Sequence, residues 1–306
     1  MHQPVLLSET IHALQPRSGG VYIDGTVGAG GHAAAILAAS APAGQLHGFD
    51  QDQQALELAE QNLAEFGSRV NLYHANFKQL PHIARLYHLP PADGILLDLG
   101  VSSMQFDQPE RGFSFQFDGP LDMRMDPSHG QTAADLVNSL PEEELANLIY
   151  KYGEETHSRR IARAIIKARP LHRTVELANV VSGAVRIKGR PKIHPATRTF
   201  QALRIAVNNE LTVLEQVLPQ ALALLKPKGR LAVISFHSLE DRIVKQYFKQ
   251  ESQDCICPPE QLFCTCQHKA IINIITKKPI TPSLAEIERN SRARSAKLRV
   301  VELKGE

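Results

Sequence analysis

The stretch Val21-Tyr-Ile-Asp-Gly-Thr-Val-Gly-Ala-Gly-Gly-His32 decides the fold. Its first three residues are β-branched or aromatic and read as a buried strand, and the glycines at 25, 28, 30 and 31 let the chain turn tightly beside a ligand. The alanine-rich segment that follows, residues 33–39, predicts a helix. Strand, glycine loop and helix N-terminus bring backbone N–H groups and the positive end of a helix dipole to one point, a site for a nucleotide-like ligand. This unit seeds a doubly wound, Rossmann-like α/β sheet.

Two cofactor classes use such a loop. Gly28-x-Gly30-x-x-Ala33 fits the dinucleotide fingerprint loosely, and Asp50, 20 residues past Gly30, is placed to take ribose hydroxyls in either class. The acid inside the motif, Asp24, and the run Asp-Gly-Thr-x-Gly-x-Gly-Gly look more like the first motif of S-adenosylmethionine-dependent methyltransferases, whose ligand has an amino-acid tail and no pyrophosphate. A nicotinamide-dependent dehydrogenase and a glycine turn with no ligand are the alternatives.

Outward from this unit, Gln45–Asp50 is a second strand ending in an acid, and a helix from Gln53 to Phe66 closes at Gly67. Val70–His74 is a third strand leading to Phe77, an aromatic fit either to stack on an adenine or to plug the core. Ile95, Leu96 and Leu97 are apolar on both faces, as in a central parallel strand, and Asp98 sits where that strand emerges. Ligands of open α/β sheets lie beyond the carboxyl ends of strands, so Asp24, Asp50, Phe77 and Asp98 are expected to line one crevice. Upstream, residues 5–16 predict a short helix. Downstream, a helix Glu210–Leu225, a turn Lys226–Gly229 and a buried strand Arg230–Phe236 continue the alternation. Two last strands, Ile271–Thr276 and Lys297–Glu302, are expected to pair antiparallel and finish the sheet.

Between these halves the alternation stops. Residues 105–127 mix Phe106, Phe113, Phe115 and Phe117 with charges and turn residues, and four phenylalanines favour a binding loop over a disordered linker. From Thr132 to Asn208 the periodicity is helical. Pro141 and three glutamates open a helix that Gly153 stops. Ser158 is expected to cap another, whose apolar stripe of Ile161, Ala164, Ile165 and Ala168 is flanked by Arg159, Arg160, Arg163 and Lys167. A basic loop covers 186–194, and His194 starts a further helix. Residues 107–208 thus read as an inserted helical domain dividing a sheet domain of residues 1–106 and 209–306.

The formal net charge is +2, yet Lys151–Arg204 carries 13 Lys or Arg against 3 Asp or Glu, an excess of ten positive charges that leaves the remainder acidic. So basic a block points to a phosphate-bearing partner rather than to solvated helix faces that share a sign. No apolar run approaches the roughly 20 residues of a membrane helix, and the N-terminus lacks a basic region followed by an apolar one, so a cytoplasmic location is expected. All four cysteines fall between 255 and 266 as two Cys-x-Cys pairs. Four thiolates suit zinc, but the usual spacing is roughly two to four intervening residues, so a zinc site and a redox-sensitive loop both stay open and no metal ligand is assigned.

The motifs Ile23-Asp-Gly-Thr26, Gly28-Ala-Gly-Gly-His32, Gly94–Ser103, Glu110-Arg-Gly-Phe-Ser-Phe115, Asp118–Asp126, His194–Gln201 and Ser235-Phe-His-Ser-Leu-Glu-Asp-Arg242 together resemble the bacterial ribosomal RNA small subunit methyltransferase H family, over nearly the whole chain. The resemblance implies transfer of a methyl group from S-adenosylmethionine to N4 of a cytidine in the decoding region of 16S rRNA. It implies 16S rRNA as the partner, met within the small ribosomal subunit, and leaves a homodimer open. The cofactor contacts it implies are Gly30, Gly31 and His32 in the loop, Asp50 at the ribose, Phe77 at the adenine, and Asp98 and Gln105 near the transferred methyl. The cysteine segment is not shared by all members.

The lone pair of a cytosine amine is delocalised into its ring, so the protein must orient the amine and accept its hydrogen bonds. Many amino-methyltransferases do this with Asn or Asp followed by Pro-Pro-Tyr at the end of the fourth strand. Here Asp98-Leu-Gly-Val keeps the acid alone. Asp98 is therefore the candidate catalytic acceptor, and base stacking falls to a phenylalanine of residues 106–117. A non-enzymatic RNA-binding factor would use the basic module alone.

Overall fold

A computed structural model of the protein describes residues 4–101, 103–185, 193–261 and 263–305. Seven strands form one sheet: β1 (Val21–Asp24), β2 (Gln45–Asp50), β3 (Val70–His74), β4 (Ala92–Asp98), β5 (Leu225–Ser235), β6 (Ile272–Ile274) and β7 (Lys297–Leu303). Their order is β3-β2-β1-β4-β5-β7-β6. Neighbouring strands from β3 across to β5 are parallel, β7 is antiparallel to β5, and β6 is antiparallel to β7. The last two strands therefore pair as their sequences predict.

Successive residues of each strand serve opposite faces, because side chains alternate across a pleated sheet. Ile23, Phe49, Ile95 and Leu97 join one core with the helices Leu80–Leu86, Glu210–Leu224 and Ser238–Glu251. Tyr22, Leu46, Leu96 and Ile234 join a second core with the helices Leu7–Leu14, Gly31–Ala39 and Gln53–Leu63. Both faces are covered, so β4 is buried at every residue except Asp98. The chain winds outward from β1 through β2 to β3 and then returns to place β4 on the other side of β1. Open α/β sheets take their ligands at such a reversal, here at the carboxyl ends of β1 and β4.

Some local elements differ from the sequence reading. The helix after Gln53 ends at Leu63 and tightens into a 3₁₀ turn, Ala64–Arg69, in which Gly67 takes a φ of 55° that a Cβ would disfavour. Strand β5 begins at Leu225 rather than Arg230. The Lys226–Gly229 turn bulges within it, with Lys228 at φ 65° and a register break against β4 between Ala92 and Gly94.

The chain divides into two compact units, residues 1–100 with 211–306 and residues 101–210. The second has its own core, in which Leu121, Val137, Ile149, Ile161, Val181 and Leu203 are buried on five successive helices and the segment before them. Residues 105–127 are not one open loop. They continue the short helix Ser103–Asp107, form a 3₁₀ turn at Pro109–Arg111, and are then pinned by polar side chains. The buried Arg111 guanidinium donates to the carbonyls of Arg124 and Met125, and the Asn208 amide bonds the Met123 carbonyl and the Met125 N–H. Phe113 is buried, Phe106 and Phe115 pack against the core, and only Phe117 of the four is exposed. Ser158 is the first residue of the helix Ser158–Ala168 and is buried, and the N-cap position belongs to His157, whose side chain makes no cap bond. Of the expected basic loop, residues 186–192 lie outside the described residues. No helix among the described residues is long and apolar enough to cross a membrane.

Candidate active site

Where β1 ends, Gly25 donates its N–H to the Leu96 carbonyl of β4, and Val27 donates to the Phe49 carbonyl of β2, so the glycine loop is sewn to both neighbouring strands. A Cβ at Gly25 would lie 2.6 Å from Leu97 Cδ2 and 3.4 Å from Phe77 Cβ, which explains a glycine there. Gly28 and Gly30 take φ of 52° and 86°, left-handed values suited to glycine. Gly30 is the N-cap of the helix Gly31–Ala39, and no side chain caps its first turn. The loop thus presents backbone donors at the positive end of a helix dipole.

The acids at the strand ends surround this loop. Asp50 accepts the Gly28 N–H on Oδ2 and the Asp52 N–H on Oδ1, both at 2.9 Å, which ties the end of β2 to the glycine turn. Asp24, 1% exposed, accepts the Thr26 N–H at 3.1 Å on Oδ1, and its Oδ2 has no hydrogen-bond partner among the described residues. Asp98 donates its backbone N–H to Thr26 Oγ1 at 2.7 Å. Its Oδ2 lies 3.5 Å from His32 Nδ1, and its Oδ1 is buried with no hydrogen-bond partner among the described residues. The other ring nitrogen of His32, Nε2, is 3.0 Å from the Val5 carbonyl. A carbonyl only accepts, so Nε2 carries a hydrogen, and Nδ1 is the nitrogen that faces Asp98.

Burial pushes the Asp24 carboxyl up to about 7 and that of Asp50 to about 6, against the backbone N–H donors that favour their charged forms. Asp98 is raised well above the ordinary carboxylate range, first by burial and then by the negative charges of Asp24 and Glu240. Buried carboxylate oxygens without partners call for a cation. S-adenosylmethionine, with a sulfonium and an ammonium group, fits such a crevice, whereas the pyrophosphate of a dinucleotide would add negative charge to a cluster of acids.

Asp24, Asp50 and Asp98 thus meet the glycine loop at Thr26, Gly28 and His32, and Phe77 lies beside Gly25. Phe77 opens a short 3₁₀ turn, packs one side on the core and stays partly exposed, so it has a free edge as well as a structural contact. Gln105 is buried in the helical unit. Two residues to which the sequence reading gave no role also belong here. Thr26 links Asp24 and Asp98 through one hydroxyl, at 3.4 and 2.7 Å. Glu240 forms a capping box with His237 and takes the N–H groups of Phe236 and His237, which holds its charge at the end of β5. Its signal was legible as His-x-x-Glu before a helix, though not its reach to Asp98.

The helical unit has the opposite character. Along the helix Ser158–Ala168, Ile161, Ala162 and Ile165 are buried while Arg159, Arg160, Arg163 and Lys167 are exposed. Arg163 leans on Glu142 at 3.4 Å, whereas no ion pair of Arg159 or Arg160 occurs among the described residues. These two arginines line a surface cleft with Asn147, His157 and the exposed Tyr150.

Residues 1–304 match the profile of the MraW methylase family. The chain belongs to the MraW methylase family. It is 54% identical over 305 residues to a protein of Citrifermentans bemidjiense, covering 98% of each chain, and 55% identical over 304 residues to one of Syntrophotalea carbinolica, covering 98% of this chain and 97% of that one. Both relatives carry the name Ribosomal RNA small subunit methyltransferase H. Membership in the MraW family resolves the choice left open by the glycine loop: the enzyme is a methyltransferase that uses S-adenosylmethionine, not a dehydrogenase.

Proposed function

We propose that this MraW-family enzyme acts in the cytoplasm on 16S rRNA, within the small ribosomal subunit, and methylates N4 of a cytidine in the decoding region. The names of its relatives support the RNA, and the chemistry of the crevice supports the atom. Ring-carbon methylation of a pyrimidine commonly needs a thiolate nucleophile. The chain has four cysteines, all in the loop between the helix Ser238–Glu251 and β6 and none at the carboxyl end of β1, β2 or β4. An exocyclic amine needs an acceptor instead, and the observation that carries this reading is Asp98, a carboxylate at the end of β4 with one buried oxygen unpartnered and the other facing His32.

In this reading Gly30, Gly31 and His32 form the floor under the cofactor, Asp50 takes its ribose hydroxyls, and Phe77 lies against its adenine. Bound S-adenosylmethionine supplies an electrophilic methyl on a positively charged sulfur. Asp98 accepts a hydrogen bond from the cytosine amine, holds it in line, and takes the proton the nitrogen sheds after transfer. Its raised affinity for a proton suits that task, and His32 Nδ1 is the next acceptor. The sheet domain is the methyltransferase domain, and the helical domain binds RNA through Arg159, Arg160 and Arg163, with Phe117 and Tyr150 available to stack on bases.

Incubation with labelled S-adenosylmethionine and small subunits from cells lacking the enzyme, followed by mass spectrometry of digested RNA, tests the proposal. A methyl on the cytidine amine is expected. A ring-carbon product, or a covalent adduct trapped by 5-fluorocytidine, would overturn it.

A further inference from the structure

The sulfur atoms of Cys255, Cys257, Cys264 and Cys266 all lie within 4.8 Å of one another. Cys264 Sγ is 3.6 Å from Cys266 Sγ, which is 3.8 Å from Cys255 Sγ. Sulfurs held about 2.3 Å from a tetrahedral zinc ion are about 3.8 Å apart, whereas a disulfide brings two of them to about 2.05 Å. The cluster therefore has the dimensions of a metal cage and not of a bonded pair.

Burial does not hold the loop around it in shape. No described residue from 252 to 271 is buried, and Phe263 is 81% exposed, so no hydrophobic core organises this stretch. Its neck is closed by the Ile271 N–H to the Glu251 carbonyl at 2.9 Å and the Ala270 N–H to Asp254 at 3.2 Å. His268 is spoken for at that neck, with Nδ1 2.8 Å from the Gln253 carbonyl and Nε2 3.5 Å from Glu251, which leaves the sulfurs as the ligand set. Backbone N–H groups already point at sulfur: Ile256 donates to Cys266 and Cys257 donates to Cys255, each at 3.4 Å. Such donors orient thiolate ligands and offset their charge.

We propose that Cys255, Cys257, Cys264 and Cys266 bind one structural zinc ion as a tetrathiolate that fixes the loop joining the helix Ser238–Glu251 to the edge strand β6. Four sulfur–zinc bonds form, the thiols release their protons to solvent, and no electron is transferred. The short Cys-x-Cys bite is accommodated because the two pairs approach from opposite arms of the loop, each supplying two corners of the tetrahedron.

The test uses the full-length chain purified under a thiol reductant from zinc-supplemented medium. Elemental analysis is expected to find one zinc per chain, with most of it lost in C257S and in C264S. Cobalt(II) added to zinc-depleted protein is expected to give sulfur-to-metal charge-transfer absorption and the visible bands of tetrahedral cobalt. Chelation of the unmutated chain should open residues 255–266 to proteolysis, a readout that does not depend on a variant folding. Methyl transfer by the chain with all four cysteines changed to Ser should persist. Absence of zinc together with absence of the cobalt spectrum would overturn the proposal. So would iron in place of zinc, or a chain two hydrogens lighter per sulfur pair that takes up no metal.

Discussion

The sheet unit and the helical unit treat charge in opposite ways. At the carboxyl ends of β1, β2 and β4, Asp24, Asp50 and Asp98 are acids raised by burial, and two of their oxygens have no partner among the described residues. In the helical unit two partly buried acids are matched by arginines. Burial alone would raise Asp122, but two hydrogen bonds from Arg124 at 2.8 Å hold it below the ordinary range, and Glu210 takes two from Arg204 at 2.9 Å. Arg159, Arg160 and Arg163 are exposed there. Unpaired acids in a crevice suit a small cationic ligand at short range, whereas exposed cations suit an extended polyanion whose attraction salt can screen.

The most direct way to break this contrast is D98N, which keeps the shape of the side chain and removes its ability to take a proton. Single-turnover methylation at saturating S-adenosylmethionine is expected to slow by about 10²–10⁴-fold. A variant that retains the rate would remove Asp98 from the chemistry. D50A should weaken S-adenosylmethionine binding by about 1.5–3 kcal/mol through loss of charge-assisted hydrogen bonds, measured by calorimetry, and leave RNA affinity alone. Unchanged cofactor affinity would dissolve the assignment of the crevice.

Charge reversal at Arg159, Arg160 and Arg163 should do the converse. RNA affinity is expected to fall roughly tenfold or more, with a flatter salt dependence and no change in cofactor binding. If affinity and salt slope both hold, that surface is simply solvated. The smallest effect concerns pH. Asp24 rises from 3.8 to about 7 on folding, so its neutral form stabilises the ligand-free protein at low pH, and that contribution is lost as pH climbs from about 4 through about 7. D24N should cancel this loss and raise Tm at pH 8 by roughly 2–4 °C relative to the unmutated chain, with little gain at pH 4, in thermal scans without cofactor. An equal shift at both values would show that Asp24 does not titrate in this range.

The strands, the glycine turn and the acids behind them were legible because each is a local pattern: an apolar run, a residue without a Cβ, a carboxylate where the run stops. Local signals failed where a second segment decides. Ser158 resembles a cap by type, yet it already lies within the helix, and the His157 carbonyl accepts the N–H of Ile161. The turn at Lys226–Gly229 reads as a strand boundary, but pairing with Ala92 and Gly94 carries β5 across it. The bond between Thr26 and Asp98 spans 72 positions, a distance over which no periodicity speaks.

The sequence by itself determined which residues could stand at the crevice, since alternation, glycine placement and the position of an acid at a strand end are written in consecutive residues. Only the tertiary structure decided their state. Whether Asp98 holds a proton depends on its burial and on the charges of Asp24 and Glu240, which reach it from the ends of β1 and β5. Whether four cysteines make a cage depends on how a loop closes. Both are set by distances between groups far apart in the chain, and electrostatic and coordination energies are functions of those distances.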